Sequence, residues 1–214
     1  MKKLTIIIGI LVAACSLQAQ SQEAYMKAMG KGLTEMGSAE SFEDFQKVAA
    51  QFERIVARAT DQWQPNYYAA LAYINMSNRV EGISEKDQWT KKAQPFIDQA
   101  MEVAPNNSEV VALQGFHYMI VLAADPDSRG QMLSPKAMQF LGQALQMDPN
   151  NPRANIFMAQ MEFGMAQFFG SSTANACERA EKALGIFNNQ SEEPSFDPSW
   201  GKGNAMEMVK QCAK

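Results

Sequence analysis

The sequence predicts an all-α fold of tandem antiparallel helical hairpins, stacked side by side as a short solenoid. Three observations predict it. Two stretches of the second half repeat at a shift of 44 residues. Apolar residues recur at helical spacing along most of the chain. Turns carrying Pro and Asn interrupt those runs at matching places.

The repeat is read directly. Gln99-Ala100-Met101-Glu102-Val103-Ala104-Pro105-Asn106-Asn107 aligns with Gln143-Ala144-Leu145-Gln146-Met147-Asp148-Pro149-Asn150-Asn151, and upstream Ala93, Ile97 and Ala100 correspond to Ala137, Leu141 and Ala144. Positions i, i+4 and i+7 share one helix face, and alanine at two of them lets a neighbouring helix approach closely. Each proline ends a helix, because it has no N–H and restrains the residue before it. Asn107 or Ser108 can then cap one new helix. Asn151 can cap another, with Pro152 at its first position.

These residues resemble the tetratricopeptide (TPR) repeat over residues 63–190, in about three hairpins. Ala137, Leu141, Ala144, Leu145, Asp148 and Pro149 look like the second helix and closing turn of that motif. Gly115 and Tyr118 look like the small residue and aromatic of its first helix, with Tyr68, Leu71 and Ala72 one unit earlier. Met158, Ala159, Ala176 and Ala183 fall in the matching places of a third unit. The chain departs from the motif in its spacing of 44 residues instead of about 34. The extra residues, Val80 to Trp89 and Asp125 to Pro135, read as helix extensions plus longer loops on one edge of the stack. The motif's leading Trp is absent, Ala104 stands where an acidic residue is usual, and no proline closes the third unit near Asn188. In such proteins the first helices of successive hairpins line a concave groove that receives a protein or peptide. By phase, the resemblance places Tyr73, Met76, Phe116, Met119, Arg153, Gln160 and Phe163 in that groove.

The flanks complete the organisation. Residues 1–19 read as a signal peptide. Residues 20–62 form a degenerate capping hairpin: one amphipathic run carries Met26, Met29, Leu33 and Met36, and a second, from Phe42 to Val56, follows the capping pair Ser41 and Asp44. Residues 191–214 read as an extended segment and a short capping helix from about Asn204 to Cys212, with Trp200 packed over the final repeat.

Lys2 and Lys3 precede an apolar run from Leu4 to Ala14, too short to span a bilayer comfortably, and Ala19 suits signal peptidase. Val12-Ala13-Ala14-Cys15 also reads as a lipobox with lipidation of Cys15, and the two readings stay open. Both take the chain out of the cytoplasm, to the periplasm or to an envelope anchor. No later run is long enough to cross a membrane. Both also remove or cap Cys15, leaving Cys177 and Cys212 to pair in an oxidising compartment. The alternative is two buried free thiols.

Composition narrows the function. Hydrophobic residues make up 46% and charged residues 20%, and the net charge is −4, which disfavours nucleic acid as a partner. There is one histidine, His117, set between Phe116 and Tyr118 in a predicted helix. Such a residue is expected to pack and find a local hydrogen bond, so neither a serine–histidine pair nor a zinc site is expected. The sequence carries no phosphate-binding glycine loop and no nucleophile elbow. Met158, Met161 and Met165 have the spacing of a core stripe, which outweighs a Cu(I) reading. Phe168 and Phe169 cannot both face one helix groove, so one of them is a candidate for an exposed partner contact. No cofactor, metal or catalytic residue is expected. The leading expectation is a non-catalytic exported module for protein–protein interaction. The alternative is a small-molecule carrier or an unrecognised enzyme, with a pocket under the long inter-helix loops.

Overall fold

A computed structural model of the chain describes residues 2–191 and 195–213, with side chains from Gln20 onward. The leader, its cleavage point after Ala19 and the Cys15 side chain lie outside the residues whose side chains are described. Among the described residues there are nine helices and no strand: α1 (Lys2–Ser38), α2 (Phe42–Val56), α3 (Trp63–Ser77), α4 (Ile83–Val103), α5 (Ser108–Ala123), α6 (Pro126–Met147), α7 (Pro152–Phe169), α8 (Ala174–Asn188) and α9 (Lys202–Cys212). They pair as α1–α2, α3–α4, α5–α6 and α7–α8, each hairpin packs on the next, and α9 covers α8. The predicted solenoid is the observed fold.

Local chemistry fixes the helix ends. Ser41 and Asp44 form a reciprocal capping box at α2. Asn107 Oδ1 accepts the Glu109 N–H at 2.9 Å, and Asn151 Oδ1 accepts the Ala154 N–H at 2.8 Å. Asn151 Nδ2 also donates to Ser108 Oγ at 3.1 Å, so one cap ties the starts of two hairpins together. Helix α7 stops at Gly170, where φ is +65° and the Ser171 N–H reaches back to the Ala166 carbonyl at 2.8 Å. This is the left-handed ending that glycine supplies without steric penalty.

The alanine stripes set the distance between helices. Ala93, Ile97 and Ala100 on α4, Ala137, Leu141 and Ala144 on α6, and Ala176, Ala180 and Ala183 on α8 are all buried. Helices α5 and α6 approach closely at Gly115, where an added Cβ would lie 2.7 Å from Leu141 Cγ. A methyl group cannot enter without moving Leu141 or the helix behind it. Gly115→Ala is expected to destabilise the fold by about 1–3 kcal/mol, the usual range for overpacking, read as a lower urea midpoint at unchanged slope.

The extra residues of each unit lie in helix rather than in long loops. Helices α4 and α6 have 21 and 22 residues, against 15 for α8, and their connectors are residues 78–82 and 124–125. Pro95 and Pro135 sit inside α4 and α6. The stretches Val80 to Trp89 and Asp125 to Pro135 thus carry loop-type residues that are largely helical. Of the expected helix extensions plus longer loops, the extensions are what the structure shows, and the longer loops are corrected to short connectors. Asp125 caps α6, and Pro126, with no N–H to orphan, opens it.

A disulfide joins Cys177 on α8 to Cys212 on α9. It ties the start of α8 to the end of α9. Residues 195–201 lie across the stack and lead into α9.

Candidate functional site

That returning segment occupies the face where a groove was expected. Phe196 meets Tyr25 of α1 edge to face, and its carbonyl accepts the Tyr68 hydroxyl of α3 at 3.2 Å. Trp200 rests on Phe116 of α5 and Phe157 of α7, with ring centroids 5.5 and 5.7 Å away, and its Nε1 donates to the Tyr67 hydroxyl at 3.0 Å. The first helices of all four hairpins thus meet one internal strap.

Arg153 anchors the strap from below. It is 2% exposed, and its guanidinium is held by both carboxylate oxygens of Glu109 and donates from Nη1 to the Trp200 carbonyl at 2.7 Å. Burial opposes its charge, but Glu109, together with Tyr67 and Tyr68, more than offsets this and holds the guanidinium above its ordinary range. Burial likewise pushes the Tyr67 hydroxyl well above its usual range. Gly201 closes the strap at φ +105°, where a Cβ would meet Phe187 at 3.0 Å.

The seven residues placed in the groove by phase therefore have other surroundings. Met76, Phe116, Arg153 and Phe163 are buried within the monomer, and Tyr73, Met119 and Gln160 are half-buried. The Tyr73 hydroxyl donates to the Glu53 carboxylate, and its ring stacks with Trp89 and Phe96. Four of the seven thus lie inside the monomer, and three keep part of their surface in solvent.

His117 is buried on α5 with Nε2 2.9 Å from the Thr90 carbonyl, and desolvation holds its pKa below the ordinary imidazole value. Met158 and Met161 are buried, while Met165 is 37% exposed, so the methionine stripe divides between core and surface. No group of three or more His, Cys, Asp or Glu side chains able to hold a metal occurs among the described residues.

Open space lies beside the tip of the fourth hairpin. A cleft of about 580 Å³ runs between α6, α7 and α8. One wall is apolar: Met165, Ala166 and Phe169 of α7, joined by Met138 of α6. The other is polar: Asn175, Glu178, Arg179 and Lys182 of α8. With Glu162 included on α7, the lining positions of both helices follow the i, i+3, i+4, i+7 rule for one face. Arg179 bridges the walls, giving two hydrogen bonds to the Glu162 carboxylate at 2.9 and 3.0 Å. Lys182 Nζ donates to the Pro149 carbonyl at 2.9 Å and remains exposed. Phe168 and Phe169 stand out at the cleft mouth, 83% and 71% exposed, in edge-to-face contact. The cleft exists because α8 begins late and is short, so the end of α7 is left uncovered. Only the Phe168–Phe169 pair signalled it in the sequence.

No family model matches the chain, and no curated protein sequence matches it. Among solved structures it is similar to the HusA haemophore from Porphyromonas gingivalis, with a TM-score of 0.77 and 26% identity, covering 88% of this chain and 92% of that one. It is also similar to a thermophilic TPR protein, TTC0263, from Thermus thermophilus, with a TM-score of 0.51 and 14% identity, covering 92% and 95%. No helix among the described residues is long and apolar enough to cross a membrane. By its hairpin stack and by these likenesses, the chain has the fold of a TPR-like helical-repeat protein.

Proposed function

We propose that this protein is a non-catalytic, exported carrier whose cargo is haem or a closely related tetrapyrrole. The carrying observation is a likeness to a haemophore that runs nearly the full length of both chains at a TM-score of 0.77. Two further features support a cargo in place of a groove peptide. The face that would take an extended peptide is filled by residues 195–201. The cleft between α6, α7 and α8 pairs apolar and cationic side chains, as a flat amphiphile with carboxylate groups requires. Export is supported by the basic and apolar start of the chain and by a disulfide of the kind that persists in oxidising compartments.

Titrating haemin into the mature protein tests this. A saturable shift of the haemin absorption band with a one-to-one endpoint is expected. No spectral change and no quenching of tryptophan fluorescence at micromolar haemin would overturn it. A second reading, a protein-docking module, is favoured by the exposed Phe168–Phe169 pair, since adjacent exposed aromatics are typical interface anchors. It predicts that haemin leaves the protein's spectra and thermal midpoint unchanged.

A further inference from the structure

We infer that the cleft between α6, α7 and α8 is the cargo site, with the ring of the ligand on Met138, Met165 and Phe169 and its carboxylates at Lys182. The inference rests on the carrier reading above and adds the place and orientation of the cargo.

The ring position follows from exposure and shape. Met165 and Phe169 are 37% and 71% exposed, on the same face of α7, and they line the cavity together with Met138. Thioethers and an aromatic face offer polarisable surface to a flat π-system. Phe168, beside them, extends that surface beyond the cleft mouth. A monomeric protein seldom leaves such a group in water without use.

The orientation follows from charge. Arg179 and Glu162 neutralise one another across the cleft. That leaves Glu178 and Lys182 on the polar wall. Lys182 lies one turn further from Phe169 than Glu178, next to the loop at Pro149. A carboxylate is repelled at Glu178 and attracted at Lys182. The ligand therefore enters with its apolar edge toward the hairpin tip and its acidic edge toward the α6–α7 turn.

Haemin affinity is measured for the wild type, Met165→Ala, Phe169→Ala, Lys182→Glu, Glu178→Gln and, as a control, Met132→Ala. Met132 is 60% exposed on α6 and does not line the cleft. All of these residues except Met165 are well exposed, and unchanged helicity and thermal midpoint confirm folding. Met165→Ala and Phe169→Ala are each expected to weaken binding about tenfold, as truncating an interface anchor does. Lys182→Glu is expected to weaken haemin binding but not binding of haemin dimethyl ester, which lacks the charges. Glu178→Gln is expected to tighten haemin binding, and Met132→Ala to leave it unchanged. Equal haemin affinity across the wild type and all cleft variants would overturn the site while leaving the carrier reading intact. Absence of binding to the wild type would overturn both.

Discussion

Arg153→Ala is expected to lower folding stability by about 3–5 kcal/mol, the range for breaking a buried ion pair from one side. The loss has three parts. Glu109, whose side chain is 17% exposed, keeps a charge with no partner. The Trp200 carbonyl loses its 2.7 Å donor. The arginine stem leaves a gap under Phe187 and Gly201. Replacing both partners by apolar residues, Arg153→Met with Glu109→Leu, is expected to recover most of this stability, because no orphaned charge remains. Urea unfolding of the three proteins gives the answer. A loss below about 1 kcal/mol for Arg153→Ala would mean that the pair behaves like a surface salt bridge and that the strap is not anchored by it.

Loss of the disulfide is the second large effect. Cys177 and Cys212 are 35 residues apart. In the chain-entropy model a closed loop of that length restricts the unfolded ensemble by about 3–4 kcal/mol. Cys177→Ala with Cys212→Ala is expected to lower the thermal midpoint markedly without reductant. Dithiothreitol should bring the wild type down to the level of the double variant and leave the double variant itself unmoved. Equal midpoints for the two oxidised proteins would show that α9 and the strap are held by packing alone.

Much of the fold was legible in the sequence because its punctuation is chemical. The Pro-Asn-Asn turns end one helix and cap the next, and the alanine stripes mark the faces that touch. Two things were not legible. Gly82, Gly130 and Pro135 look like loop residues, yet two of them lie within α6 and only Gly82 lies outside a helix, as the cap of α4. Packing against neighbouring hairpins overrides their low helix propensity. The segment lying across the first helices was not legible for a different reason. Residues 195–201 have no period, so nothing in their spacing reveals that Phe196 and Trp200 fold back onto helices more than a hundred residues earlier. Of the residues assigned by phase, Phe116 and Arg153 meet this segment directly, and Tyr73 stacks with Trp89 and Phe96 of α4. Phe168 and Phe169 were legible as unusual because two neighbouring rings cannot share one buried face. The polar wall of α8 was not legible, since a row of Asn, Glu, Arg and Lys on one helix face looks the same in any solvated helix.

The strap has a mechanical consequence. A row of hairpins in which each touches only its neighbours can melt one unit at a time, beginning at either end. Here hydrogen bonds from Tyr68 and to Tyr67 span 128 and 133 positions of the chain, and Phe196 reaches α1 itself. The tail is thus buckled to the head like a belt. Neither terminus can peel away without undoing the other, so the array should come apart in a single step, with the slowest amide exchange shared by the first helix and the last third of the molecule.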